Sequence, residues 1–384
     1  MKINNRIVNL QEYHFNKIET LKREVSAKGK DIIDLGIGDP DLSPPKEVNE
    51  ALIEALSYEK YHNYPVSEGI FELKEQIAKY YKVNYNVDLE KDEILILVGS
   101  KEGLSNIIPA TCDISDHIIL PEPSYPAYEA CSRLWGVIPY KTPLIEERGY
   151  FPRLNTIPEN IKKVAKLMII NYPNNPTGAI LKEDFLWEVK KMCREYNIVL
   201  CNDGAYKEIV QNNNKKLSIL MGGIDNCIEF GSFSKAFSMT GYRIAYVAGD
   251  KNIIKALLKV KSNIDSGQFI PIQYAALKAI KDCEHYIEHI NHIYYRRKIL
   301  AENILKEKGL EYFKGQGTFY IWCKVPKGYT TDEFCNKLLV ERGIVVTPGY
   351  VFGKLGFGHF RISLTKEEEL ISKALNSIDK ISMN

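Results

Sequence analysis

No CxxC pair, no excess of either charge and no apolar run of membrane length occur in this chain of 384 residues. Its eight cysteines are scattered, and no histidines sit near them at metal-ligand spacing. That favours free thiols over disulfides or zinc, and no metal is expected. The 51 basic and 49 acidic residues leave a formal charge of +2, which gives no reason to expect nucleic acid or an anionic membrane as partner. The opening MKINNRIVNLQEYHF lacks the apolar stretch of a signal peptide, so the expected setting is the cytoplasm. GxxxxGK[ST] and GxGxxG are both missing, which weighs against a nucleotide phosphate as ligand. There is no internal repeat and no low-complexity tract.

What is present is a hydrophobic fraction of 45% and a regular alternation of short apolar runs with amphipathic stretches. DEILILVGS (92–100), HIILPEPSY (117–125), KLMIINYPNNPTG (166–178), IVLCNDGAY (198–206), CIEFGSFSK and RIAYVAG read as strands running into turns. SKEGLSNIIPATC and DFLWEVKKMCREYN read as helices between them. Alternating strands and helices predict an α/β domain with a mostly parallel central sheet, whose functional groups gather where strands end. After about residue 285 a long helical stretch and shorter strands follow, predicting a smaller α+β domain. The expected division is a large domain over 46–285 and a small one from 1–45 and 286–384.

The unusual residues fall at those strand ends. Gly99-Ser100-Lys101 opens a helix, where free backbone N–H groups and the helix dipole favour an anion. In GSFSKAFSMTGYR, Ser232, Ser234 and Arg243 can grip a phosphate around Lys235, a candidate Schiff-base lysine. The competing reading is a turn with two snorkelling cations. Asp203 ends an apolar strand and either caps the following turn or pairs with a pyridine nitrogen that must stay protonated. Asn175 and Tyr206 can both bond a ring hydroxyl. Tyr125 either stacks on the ring or packs in the core. Arg361, in GHFRISLT, is a fork for a substrate carboxylate or one half of a surface salt bridge.

Taken in order, the phosphate turn, NYPNNPTGA, D-x-x-Y, SFSKAFSMTGYR and FRISLT resemble the class I/II aminotransferases, fold-type I pyridoxal phosphate enzymes. The resemblance spans DLGIGDPDL (34–42) to FRISLT (360–365) and is nearest to the branch containing LL-diaminopimelate aminotransferase and its alanine- and aspartate-acting relatives. It implies catalysis by Lys235, Asp203 and Tyr206. It implies that Gly99, Ser100, Lys101, Tyr125, Asn175, Ser232, Ser234 and Arg243 hold the cofactor, with Tyr64 reaching across a homodimer interface. Arg361, helped by Asn175 and Gly38, is then expected to hold the substrate carboxylate, with Tyr13 and His14 as pocket candidates. The implied reaction is ping-pong transfer of an amino group from an L-amino acid to a 2-oxo acid. Elimination, cyclisation or oxidation by the same residues is the alternative, and a non-catalytic binding module is a further one. Tyr242, where the branch often has Trp, NDGAY in place of HDAAY-like text, and His14 depart from the branch's pattern. None of the three touches the cofactor set. Glu68 and Asp265 are candidate partners for a basic substrate side chain.

Overall fold

A computed structural model describes residues 3–8, 10, 15–211 and 214–379; Tyr13 and His14 lie outside them. Seven strands form the central sheet: β1 (Ile94–Leu97), β2 (His117–Glu122), β3 (Ile138–Pro143), β4 (Ala165–Ile170), β5 (Val199–Asp203), β6 (Cys227–Ser232) and β7 (Ala245–Gly249). Their order is β1-β7-β6-β5-β4-β2-β3, and β7 alone runs antiparallel to its neighbours. The fold is therefore α/β with a mostly parallel sheet. Its inner strands are apolar at successive positions because both faces are covered. Ile94, Ile96, Met168, Ile170 and Leu200 enter one core, and Leu95, Leu97, Leu167, Ile169 and Cys201 the other, in the two-residue alternation of a strand.

Register decides what meets at the sheet's edge. Leu97 pairs with Ala245, Ala245 with Ser232, Phe230 with Asp203, and Asn202 with Ile170. The ends of β1, β4, β5 and β6 and the start of β7 thus lie side by side, although the sequence separates them by up to about 150 residues. Each end carries one of the unusual residues. RIAYVAG is not strand throughout: Ala245–Gly249 is, whereas Arg243 turns in the left-handed region (φ 52°) just before it. That turn keeps the guanidinium out of the apolar core.

A second sheet is antiparallel, in the order 347–348, 359–363, 320–324, 312–313. Ile33–Asp34 pairs in parallel with Ile344–Val345, and Val25 packs on Leu339 and Val345, which fixes the early chain against its late part. The short helix Asn5–Val8 goes elsewhere: Arg6 donates to the carbonyl of Leu134, beside the central sheet. The long helix Glu284–Glu307 spans both cores, with Ile287 in the first and Ile290, Tyr294 and Ala301 in the second. No helix among the described residues is long and apolar enough to cross a membrane.

Candidate active site

A cavity of about 450 Å³ opens at the shared strand edge. Gly38, Ser100, Lys101, Tyr125, Asn175, Asp203, Tyr206, Ser232, Ser234, Lys235, Arg243 and Arg361 all line it.

One end is built for an anion. The helix Ser100–Thr111 points its N-terminus into the cavity, and Gly99 precedes it at φ 80°. A Cβ on Gly99 would strike the Arg243 guanidinium, so glycine lets the cation sit over the helix N-terminus. Arg243 spends one nitrogen on the Thr240 carbonyl at 2.8 Å. Ser232 caps the next turn by accepting the Ser234 N–H at 3.2 Å. Ser100 Oγ is buried without a hydrogen-bond partner, a costly state that a phosphate oxygen would relieve.

The middle sets a buried carboxylate among tyrosines. Asp203 is buried and holds the Tyr128 hydroxyl on Oδ2 at 2.6 Å and the Ala205 N–H on Oδ1 at 3.3 Å. The carboxylate therefore does support the following turn, yet it still faces the cavity. Burial pushes its pKa up, and the Tyr128 hydrogen bond pulls it back. Tyr125 meets Tyr128 edge to face at 5.8 Å on the same wall. Tyr206 stands within 2.9 Å of the Tyr320 hydroxyl.

At the other end Arg361 is only 4% exposed, so the surface salt bridge is excluded. Its guanidinium donates to Asn175 Oδ1 and to the Gly36 carbonyl, each at 2.7 Å, and lies 3.9 Å over the Tyr320 ring. Its Nε–H has no partner, leaving capacity for a carboxylate. Lys235 lies between the two ends. Its Nζ donates to the Gly38 carbonyl at 2.8 Å. Burial, opposed by Asp39 and reinforced by Arg361 and Arg243, lowers it to about 8. An amine with that value has a far larger free-base fraction near neutrality than an ordinary lysine, and that fraction becomes the majority only above about 8.

Other candidates lie outside this protomer's cavity. Tyr64 is 89% exposed on the surface. Glu68 pairs with Lys74 at 3.1 Å and Asp265 with Lys261 at 2.8 Å, and neither lines the cavity. Tyr242 donates to Asn49 Oδ1. The sequence reading passed over Tyr128, Asn171, Tyr320 and Phe352, which do line it. Asn171 opens the NYPNNPTG motif, and its side chain accepts the Asn175 N–H at 2.8 Å and donates to the Asp203 carbonyl at 2.6 Å. The motif's first asparagine was therefore a usable signal. Tyr320 and Phe352 sit in ordinary apolar text and carried none.

Residues 30–378 match the family model described as aminotransferase class I and II. The chain is similar to the LL-diaminopimelate aminotransferase of Aquifex aeolicus (strain VF5), with 40% identity over 385 residues covering 100% of each chain. Among solved structures it is similar to substrate-bound BacF from Bacillus subtilis, with TM-score 0.94, 32% identity and 100% of each chain covered. It is also similar to a double mutant of Thermus thermophilus aspartate aminotransferase, with TM-score 0.93, 27% identity and 98% of each chain covered.

Proposed function

The chain belongs to the class I and II aminotransferases, which depend on pyridoxal phosphate, and on that premise we propose how its own residues divide the work and which donor it takes. The observation that carries the assignment is the single cavity that holds Lys235, Asp203 and Arg361 together with the anion cradle.

When bound, pyridoxal phosphate supplies an aldehyde that captures amino groups and a ring that accepts the electrons released at the α-carbon. Ser100, Ser232, Ser234, Arg243 and the helix N-terminus after Gly99 hold its phosphate. Tyr125 covers one ring face. Asp203, fixed by Tyr128 and Asn171, keeps the ring nitrogen protonated, and that positive charge offsets the rise that burial imposes on the carboxyl. Asn175 and Tyr206 bond the ring oxygen. Arg361 and Asn175 seat the substrate carboxylate, which orients the α-hydrogen toward Lys235. Lys235 Nζ, lowered to about 8, is the group of this chain that would accept the α-proton as the free amine and hold it for return.

For the donor we propose LL-diaminopimelate, with 2-oxoglutarate as acceptor. The support is the full-length similarity to enzymes carrying that name, at 37–40% identity. We also propose a homodimer in the cytoplasm. Tyr64 of one protomer would complete the phosphate cradle of its partner, which accounts for a tyrosine that is 89% exposed beside an exposed Val66. We further propose a cofactor-binding unit of residues 46–285 and a second unit formed by 1–45 with 286–384, the helix Asn5–Val8 lying instead against the first.

Absorption spectroscopy tests the donor. The loaded enzyme is expected to be yellow, to bleach with LL-diaminopimelate and to recover its colour with 2-oxoglutarate. Bleaching by aspartate or alanine and not by LL-diaminopimelate would overturn the donor assignment and leave the reaction class standing.

A further inference from the structure

Tyr320 touches every part of the carboxylate end. Its hydroxyl is 2.9 Å from that of Tyr206. Its ring lies 3.9 Å beneath the Arg361 guanidinium. It packs so closely on Gly38 that a Cβ there would collide with the hydroxyl, and the Gly38 carbonyl is the acceptor of Lys235 Nζ. The residue is buried and lines the cavity. A structural filler at this position needs only the ring, since phenylalanine would pack equally well. The hydroxyl therefore calls for its own explanation.

We propose that Tyr320 is a positioning residue that links the carboxylate-binding arginine to the ring oxygen of the cofactor, by donating its hydroxyl proton to Tyr206 Oη. The inference rests on the cofactor reading given above. A tyrosine hydroxyl both donates and accepts. Once Tyr206 gives its proton to the ring oxygen, its own oxygen is free to accept from Tyr320. Hydrogen bonds in such a chain polarise one another, so Tyr206 becomes the stronger donor. The cation over the Tyr320 ring draws electron density toward itself and makes that hydroxyl a better donor again. A substrate carboxylate arriving at Arg361 partly neutralises the cation and weakens the chain. Occupancy of the carboxylate site is thereby felt at the ring oxygen, without movement of the backbone.

The charged and titratable groups facing this pair are Arg361 and Asp203 at Tyr206, and Asp39, Arg361 and Arg243 at Lys235. Tyr320→Phe leaves all of them in place and keeps the ring under Arg361. The test is the pH midpoint of the yellow band in the cofactor-loaded enzyme, measured for wild type, Tyr320→Phe, Tyr206→Phe and the double variant. A weaker donor at Tyr206 leaves the ring oxygen more basic, so it holds the neighbouring proton more tightly and the midpoint rises. Tyr320→Phe is expected to raise it by roughly half a pH unit, and to add nothing in the Tyr206→Phe background. A merely structural Tyr320 predicts no movement, or an equal movement in both backgrounds; either result overturns the inference. Failure of the wild type to turn yellow at all would instead overturn the cofactor reading on which it rests.

Discussion

Two clusters of buried charge lie on the same loop and solve opposite problems. Asp203 and Tyr206 face the cavity, while Lys207 and Glu208, the next residues, face away from it. On the far side bonding is dense. Lys207 donates to the Tyr81 hydroxyl at 2.8 Å, lies 3.6 Å from Glu229, and is surrounded by Tyr80, Tyr81, Tyr85 and Tyr246. Glu229 accepts from Tyr81, Asn202, Ser218 and the Ile219 N–H. Glu208 takes Tyr85 at 2.8 Å and Lys216 at 2.9 Å. On the cavity side Ser100 Oγ and Arg361 Nε are buried without partners. The lysines follow suit. Burial works to lower both, but at Lys207 the facing Tyr246, Glu229 and Glu208 outweigh it and raise the pKa, whereas Lys235 falls to about 8. Apart from the unpartnered Tyr80 hydroxyl, the far network is satisfied and stores rigidity; the cavity side stores affinity for whatever completes it. The first holds still the turn on which the second is mounted.

Breaking each side should show in a different measurement. Lys235→Ala removes the proton carrier and should cut kcat by about four orders of magnitude, read by steady-state assay, with little change in the guanidinium midpoint. Retained turnover above a hundredth of wild type would deny Lys235 its role. Lys207→Met removes the cation beside buried Glu229, which should cost about 3–5 kcal/mol of stability. Its denaturation midpoint should drop sharply, while Ser100→Ala moves that midpoint by less than about 0.5 kcal/mol equivalent. Equal losses in the two variants would erase the contrast. Arg361→Leu deletes two charge-assisted hydrogen bonds to the substrate and should raise KM by about a hundredfold. A KM unchanged within threefold would mean that the carboxylate sits elsewhere. The smallest effect sharpens the lysine comparison. The cofactor-free enzyme should take up pyridoxal phosphate faster as pH rises through about 8, because the neutral amine is the reactive form and prevails above that value. Continued acceleration toward pH 10 would place Lys235 at the ordinary lysine value instead.

Much of the cavity was legible because its residues lie in strand-to-helix turns with unusual composition. GSKEGL, NYPNNPTG, NDGAY and GSFSK each put polar or small residues where an apolar strand stops, and register then brought those stops together. Arg243 shows the limit of such text. It reads as the start of a strand, but the left-handed turn at that residue aims it at the cradle, where Gly99 leaves room for its guanidinium. Tyr320 and Phe352 were illegible for a different reason. Aromatic residues in apolar text look like core, and Tyr320 of the second sheet and Phe352 of the short turn of helix after it are core on one side and cavity wall on the other. Tyr64 rests on family resemblance alone, since a lone exposed tyrosine states nothing about a partner.

What the sequence determined by itself was the kind of sheet, the inventory of chemically expensive residues and their order along the chain. Local propensity and hydrophobic period are short-range properties, so they survive in one dimension. Tertiary structure alone decided which of those residues share a cavity, that Asp203 is held by Tyr128 and Arg361 is propped on Tyr320, and that Lys235 is the lysine left with a lowered pKa while Lys207, twenty-eight positions earlier, is locked in place. Those are consequences of burial and of partners distant in sequence, and a charge's environment exists only after the chain has closed around it.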